Sequence, residues 1–437
     1  MKTLITALSV SVSVALTASA VSVDNVFVRQ QWPWSTKVNV DYVLHDAANG
    51  THDVKVEFRN GSQVITNLTE SLSGDRFGVG PGAHTLTWDP GYGGSGQLPA
   101  VIADMTATVS VPDDGRTWMV MDISGGKDAE SFPITFTNAP PPGGWNQDEY
   151  KTTKIVLRRI PATTFQMGLT DAEKSHFEIT GTHATWAARQ RRTVTLTRDY
   201  YIGVFETTHK QNSLMFGTGN SSFPKCPARN ITYATVCGSN ANEPSPYGVW
   251  PNYAEGSYLA ALNNKVTTQL SSALPGYKFE LPSYAQWECA CRGGVDTCFN
   301  SGKNWADDGT ASVDSNLAAI AQYGVNVNSD PWPEVGQKLP NAFGLYDMHG
   351  GVMELIRDVM NTSTDSGVTD PQTDPLLYHT GSSSFQTWAC GGSVKSVASG
   401  CLSDSVVNMD TKNQTASGAT DPRWHTGYRL ACVYVGE

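Results

Sequence analysis

The sequence predicts two folded units in one chain, an N-terminal all-β sandwich followed by a larger, irregular α+β domain. Three observations lead there. Residues 21–137 alternate apolar and polar side chains between Gly- and Asn-containing turns. Asn138-Ala-Pro-Pro-Pro-Gly-Gly144 then interrupts the pattern with a stretch that three prolines stiffen and two glycines release. Beyond it, strand-like and helix-like segments mix with long irregular ones. The 437 residues suffice for two or three domains. A hydrophobic content of 39% supports sizeable cores, and 41 Gly with 23 Pro favour a loop-rich β protein over a helical bundle.

Residues 1–20 read as a signal peptide: Lys2 supplies the positive start, Leu4 to Leu16 a short apolar core, and Ala18-Ser19-Ala20 a cleavage site. The core is too short to span a membrane, so the expected protein is exported, secreted or periplasmic or at the cell surface, and not membrane-embedded. In the first unit, Val38, Val40 and Tyr42 alternate with Lys37, Asn39 and Asp41. Val54, Val56 and Phe58 repeat the pattern, as do Leu86 and Trp88. Short alternating strands separated by turns predict a sandwich of the immunoglobulin or fibronectin type over 21–137. It carries no cluster of catalytic residue types and reads as an accessory module. A linker is expected over 138–150.

The second unit, 151–437, opens with strands at Ile155 to Ile160 and up to Met167, followed by Thr193 to Thr197 and Tyr200 to Phe205. Tyr258, Leu259, Leu262, Val266 and Leu270 fall at helical spacing within 253–274. Ser283-Tyr-Ala-Gln286 has the form of a capping box, so a helix carrying Ala285 and Trp287 to Cys291 should start there.

A net charge of −11 argues against a nucleic-acid partner, which needs clustered Lys and Arg. The basic run Arg189 to Arg192 reads as a solvated strand start. The eight cysteines of an exported chain favour disulfides over thiolate zinc sites. Cys226 and Cys237 bracket a polar loop that a disulfide could close, although spacing alone leaves connectivity open. Seven N-x-S/T sequons, beginning at Asn49, Asn60, Asn67, Asn220, Asn230, Asn361 and Asn413, suit exposed loops. No metalloprotease, nucleophile-elbow, P-loop or dinucleotide motif is present.

Four blocks stand in order along the second unit: Ile160-Pro-Ala-Thr-Thr-Phe-Gln-Met-Gly168 with Tyr200-Tyr-Ile-Gly-Val-Phe-Glu-Thr-Thr208; Leu281-Pro-Ser-Tyr-Ala-Gln-Trp-Glu-Cys-Ala-Cys-Arg-Gly-Gly294; Pro340-Asn-Ala-Phe-Gly-Leu-Tyr-Asp-Met-His-Gly350; and Cys390-Gly-Gly-Ser393 with Gly427-Tyr-Arg-Leu430. Together they resemble the formylglycine-generating, or sulfatase-modifying-factor, family. The resemblance implies a C-type-lectin-like fold for this unit. It also implies a disulfide between Cys291 and Cys432, and a calcium site after Gly350. Gly351, Val352 and Glu354 are the candidate ligands there, with Asn316 from a second loop. Where the family has G-N-V-W-E-W, this chain has Gly350-Gly351-Val352-Met353-Glu354-Leu355, without the Asn and both Trp.

In catalytic relatives, two thiolates bind copper(I), and oxygen then converts a sulfatase cysteine to formylglycine. Soft sulfur ligands suit that ion. Counting from Ser393, the two family positions are Ser396 and Cys401, so one thiol is replaced by a hydroxyl. Leu402 and Asp404 open a stretch without the usual arginines. Cys401 is then either half of a disulfide with Cys390 or Cys298, or a copper or redox thiolate. The expected function is a degenerate, pseudoenzyme-like family member that binds a ligand, glycan or exported protein. Trp388, Trp424 and His425 are the candidate contact residues. The alternative is an active copper-dependent oxidoreductase maturing an exported sulfatase, with Cys401, Ser393 and Ser396 as its catalytic group.

Overall fold

The computed structural model of the protein describes residues 21–436, apart from 32–34, 48, 66–71, 90–103, 113, 180–189, 239–252, 254, 307–311, 325–331, 361–369, 377–385 and 410–421. The expected signal peptide, Arg189 and the sequons at Asn67, Asn361 and Asn413 lie outside the described residues.

Seven strands form first: β1 (Ser22–Gln30), β2 (Val38–His45), β3 (Lys55–Asn60), β4 (Gln63–Val64), β5 (Leu72–Gly74), β6 (Gly82–Trp88) and β7 (Met105–Ser110). They make two sheets, ordered β1-β2-β6-β5 and β4-β3-β7. The predicted period of two is visible in β2, where Val38, Val40, Tyr42 and Leu44 are buried and the residues between them face outward. These side chains share one apolar cluster with Phe58 of β3, Leu86 and Trp88 of β6 and Val109 of β7.

The next strands are β8 (Trp118–Asp122), β9 (Ile134–Thr137), β10 (Lys154–Ile160), β11 (Thr163–Met167), β12 (Arg192–Leu196) and β13 (Tyr200–Gly203), with helix α1 (Asp171–His176) after β11. Helices α2 (His209–Phe216), α3 (Tyr233–Cys237) and α4 (Tyr258–Ala273) lead to β14 (Tyr277–Glu280) and α5 (Tyr284–Arg292). A short α6 (Ser315–Ala318) precedes β15 (Met353–Met360), β16 (Gln372–Thr373), β17 (Gln386–Cys390), β18 (Val406–Asn408), β19 (Thr426–Gly427) and β20 (Ala431–Tyr434). The central sheet runs β14-β20-β13-β10-β8-β9. Smaller sheets run β11-β12-β16 and β18-β17-β15-β19. Among the described residues, no helix is long and apolar enough to cross a membrane.

The expected boundaries of 21–137 and 138–150 need correction. The β8–β9 hairpin belongs to the central sheet, where β8 pairs antiparallel with β10, Trp118 opposite Arg158 and Asp122 opposite Lys154. The reason is that β8 is apolar on both faces. Met119 and Met121 join the cluster of Ile155, Leu157 and Tyr201 on one side, and Trp118 packs on Trp145 on the other, 5.2 Å between rings. Such a strand suits a sheet covered on both faces. The break in pairing therefore falls at 111–117, between β7 and β8. The proline-rich segment leads into packed chain, with Trp145 buried and Asn146 Nδ2 donating to the Gly336 carbonyl at 2.9 Å.

The central sheet is covered by α4 on one face and α5 on the other. Leu259, Leu262, Val266 and Leu270 of α4 are buried, as their helical spacing predicts. On the opposite face, Trp287, Ala290 and Cys291 of α5 join the cluster of Val156, Ile202 and Ala431.

Candidate functional site

Helix α5 is placed by its start. Ser283 Oγ accepts from the Gln286 amide at 3.2 Å, and Gln286 Oε1 accepts from the Ser283 amide at 2.9 Å, the capping box read from the sequence. Gly293, at φ 63°, ends the helix in the left-handed region. From this anchored helix, Trp287 Nε1 donates to Glu354 Oε2 of β15 at 2.7 Å. Arg429 reaches both oxygens of the same carboxylate, Nη2 to Oε1 at 2.6 Å and Nε to Oε2 at 3.0 Å. Both members of this ion pair are buried, and Arg429 also donates to the Gly203 and Tyr346 carbonyls. The network ties together α5, β13, β15 and the chain entering β20.

Above it, the three residues expected to carry chemistry converge. The Ser393 amide donates to Ser396 Oγ at 2.9 Å, and the two hydroxyl oxygens lie 3.4 Å apart. The Cys401 thiol is fully buried beside the Ser396 side chain and the Ser393 and Gly350 backbone. Burial dominates and pushes the thiol up to about 12, so it is protonated at neutral pH. Ser393 Oγ also lies 3.4 Å from His425 Nδ1.

A second histidine, given no role by the sequence, supports the loop. His349 Nδ1 donates to the Cys401 carbonyl at 2.6 Å, and its Nε2 accepts from the Asn300 amide, 3.2 Å away. A carbonyl only accepts and an amide only donates, so the ring is neutral with its proton on Nδ1. Burial lowers its pKa to about 4, in agreement.

Of the expected metal ligands, Glu354 and Gly351 have their oxygens engaged otherwise. The Glu354 carboxylate is committed to Arg429 and Trp287, and the Gly351 carbonyl accepts from the Val394 amide at 2.9 Å. The Val352 amide donates to Glu206 Oε1 at 2.6 Å. Asn316, at the start of α6, donates to the Asn304 carbonyl. Gly351 has φ +65°, and a Cβ there would lie 2.3 Å from Glu206 Oε1. The buried Glu206 carboxyl fills the space a side chain at Gly351 would need. Burial and the nearby Asp347 raise the Glu206 pKa well above the usual carboxylate range, and Asp347 itself is raised to about 6. These residues do not fit an oxygen cage for calcium. Nor do one protonated thiol and a serine fit copper(I).

The disulfides expected for Cys291–Cys432 and Cys226–Cys237 are not formed, and all eight cysteines are buried free thiols. Along β20, Ala431 and Val433 face the α5 side while Cys432 faces the α4 side. Strand alternation therefore points Cys432 away from Cys291. The Cys226 thiol donates to the Trp332 carbonyl, and Cys237 lies in the cluster with Tyr233 and Leu262. Cys390 and Cys298 are likewise free, so neither pairs with Cys401.

Of the three expected contact residues, Trp388 is core: it is 2% exposed, in β17. His425 is also buried, its ring 5.4 Å from that of Trp332. Trp424 is partly exposed and packs against Trp332, Val352 and Val394. The Arg229 guanidinium lies over both Trp332, at 4.7 Å, and Trp424, at 5.2 Å. Trp424 and Arg229 line an open cleft of about 700 Å³ with Asn212, Asn220 and Tyr258. Arg229 and Trp332 could not have been picked from the sequence, because they lie in irregular segments and belong to no catalytic or ligand-binding motif.

Comparison with known proteins gives a match to the model of the sulfatase-modifying factor enzyme 1-like domain over residues 146–433. The chain is 29% identical over 189 residues to the chaperone protein LppX of Paenibacillus barcinonensis, an alignment covering 37% of this chain and 63% of that relative. The chain thus spans less than two thirds of the length of the relative it matches. Among solved structures, Treponema denticola variable protein 1 is similar at 22% identity and a TM-score of 0.42, covering 64% of this chain and 95% of that one. The crystal structure of CarF is similar at 16% identity and a TM-score of 0.37, covering 62% and 96%.

Proposed function

The chain belongs to the sulfatase-modifying factor enzyme 1-like family, and from that premise we propose that it is a binding member of the family rather than a cysteine oxidase. In this reading the protein is exported, the N-terminal sheets are an immunoglobulin- or fibronectin-like accessory module, and a glycan or protein ligand is held at the cleft beside Trp424. The observation that carries the reading is the partner of Cys401. Its buried, protonated thiol faces the Ser396 hydroxyl where the family's reaction needs a second thiolate. The Trp424 cleft supplies what recognition needs instead, an aromatic face, a guanidinium and side-chain amides around one opening. The name of LppX, a chaperone protein, supports protein binding as one form of the activity.

The deciding experiment has two arms on the full chain. A Cys-x-Pro-x-Arg peptide supplied with copper(I) and oxygen is expected to stay unconverted, and conversion that disappears in Cys401→Ala would overturn the proposal. Screening against arrayed glycans and candidate exported proteins is expected to give a ligand whose binding drops roughly tenfold or more in Trp424→Ala. Ligands indifferent to both Trp424→Ala and Arg229→Ala would remove the cleft from the proposal.

A further inference from the structure

A cleft of about 380 Å³ opens where the N-terminal sheets meet the second unit. Leu72, Arg76 and Phe77 come from one side, and Phe165, Val295 and Phe343 from the other. Phe77 and Phe343 join the two walls, with ring centroids 4.6 Å apart. The cleft's volume falls in the range of small-molecule sites.

One buried donor in it is unsatisfied among the described residues. The Arg76 guanidinium lies 4.8 Å from the Phe77 ring centroid and donates from Nη1 to the Leu72 carbonyl at 3.3 Å. Among the described residues its buried Nε has no acceptor, and no carboxylate forms an ion pair with it. The acid that acts on it most, Asp53, is already bound by Arg158 and by the Gly78 amide. Lys37 and Asp89 also line the cleft, and the two other charged lining residues are matched. Arg292 pairs with Glu288 at 2.7 Å, and Asp296 pairs with Arg191 at 2.5 Å. Burial lowers the Arg76 pKa to about 10, as expected of a cation without its own counter-ion. The half-buried guanidinium at the cleft wall keeps an unsatisfied Nε, and a ligand carboxylate there would gain a charge-assisted contact.

We propose that this cleft is a binding site for a small organic acid, with a carboxylate held by Arg76 and an aromatic body packed among Phe77, Phe165 and Phe343. The site depends on both units, since Arg76 and Phe77 come from one and Phe165 and Phe343 from the other. It is separate from Cys401 and from the Trp424 cleft.

The test is isothermal titration of the full chain with 4-phenylbutyrate and with its neutral amide. The acid is expected to bind with a Kd on the order of 0.1–1 mM, and the amide at least tenfold more weakly. Arg76→Gln should weaken the acid roughly tenfold and bring it level with the amide, while Arg76→Lys retains part of the preference. Val295→Trp, which fills the cleft without changing charge, should abolish binding of both. Equal affinity of the unmodified chain for acid and amide would overturn the proposal even if Arg76→Gln fails to fold. So would full binding by Arg76→Gln, or no binding of the acid at 10-fold above the expected range.

Discussion

At the scale of single residues, the chemistry turns on what meets Cys401. Counting from Ser393 finds Ser396 and Cys401 in the sequence, and the fold brings all three together. Ser396→Cys is therefore expected to create a pair of thiols and tight copper(I) binding. A competition titration with bicinchoninate should show binding in the variant, little in the unmodified chain, and none once Cys401→Ala is added. Equal binding before and after the substitution would contradict the geometry. His349 gave no such signal, because its role comes from the Cys401 carbonyl and the Asn300 amide, both distant in sequence. Its folded pKa of about 4 lies below the unfolded value of 6.5. The unfolded state thus takes up the proton first as pH falls, and stability is lost between those two values. Glu206 and Asp347 are shifted upward and act in the opposite direction, their contribution fading as pH rises through their folded pKa. A comparison with His349→Gln separates the two. The stability advantage of histidine, measured by urea unfolding, should shrink by on the order of 3 kcal/mol from pH 7 to pH 4. A gap constant with pH would mean that the ring is not buried in its neutral form.

At the scale of elements, local rules carry far where an element holds its own instructions. Helix α4 shows its apolar stripe in sequence, and α5 shows its capping box and terminal glycine. Ser283→Ala is expected to cost about 1 kcal/mol, read as a lower urea midpoint at an unchanged m-value. The two- and three-residue strands β16, β18 and β19 had no such signal. They exist only because β12, β17 and β15 offer them an edge to pair with. The buried Glu354–Arg429 pair belongs to the same class, joining elements 75 residues apart. Arg429→Met strands the Glu354 carboxylate and is expected to destabilise by about 3–5 kcal/mol. Adding Glu354→Gln should recover part of that loss, and failure to recover any would show that the lost carbonyl contacts dominate.

At the scale of the molecule, the two units are joined by more than a tether. Asp53, just before β3, pairs with the buried Arg158 of β10, and Phe77 packs on Phe343. Gly78, at φ +58°, lies so close to the Ala342 carbonyl that an added Cβ would sit 2.3 Å from its oxygen. Gly78→Ala should therefore loosen the junction. Calorimetry is expected to resolve two unfolding transitions where the unmodified chain shows one, and limited proteolysis should gain a cut within 111–117. A single, unshifted transition would show that this contact is not needed for docking. By itself, the sequence determined the family, the strand periodicity of the first unit, the capped helices of the second and the presence of Ser396 and Cys401 after Ser393. All of these are written in residue identity and short-range spacing. Only the tertiary structure decided that β8 and β9 join the central sheet, that Cys432 faces away from Cys291, and that Glu206 fills the space beside Gly351. Those outcomes depend on which apolar faces find cover, and on buried polar groups finding partners far along the chain. No local window of sequence contains that information.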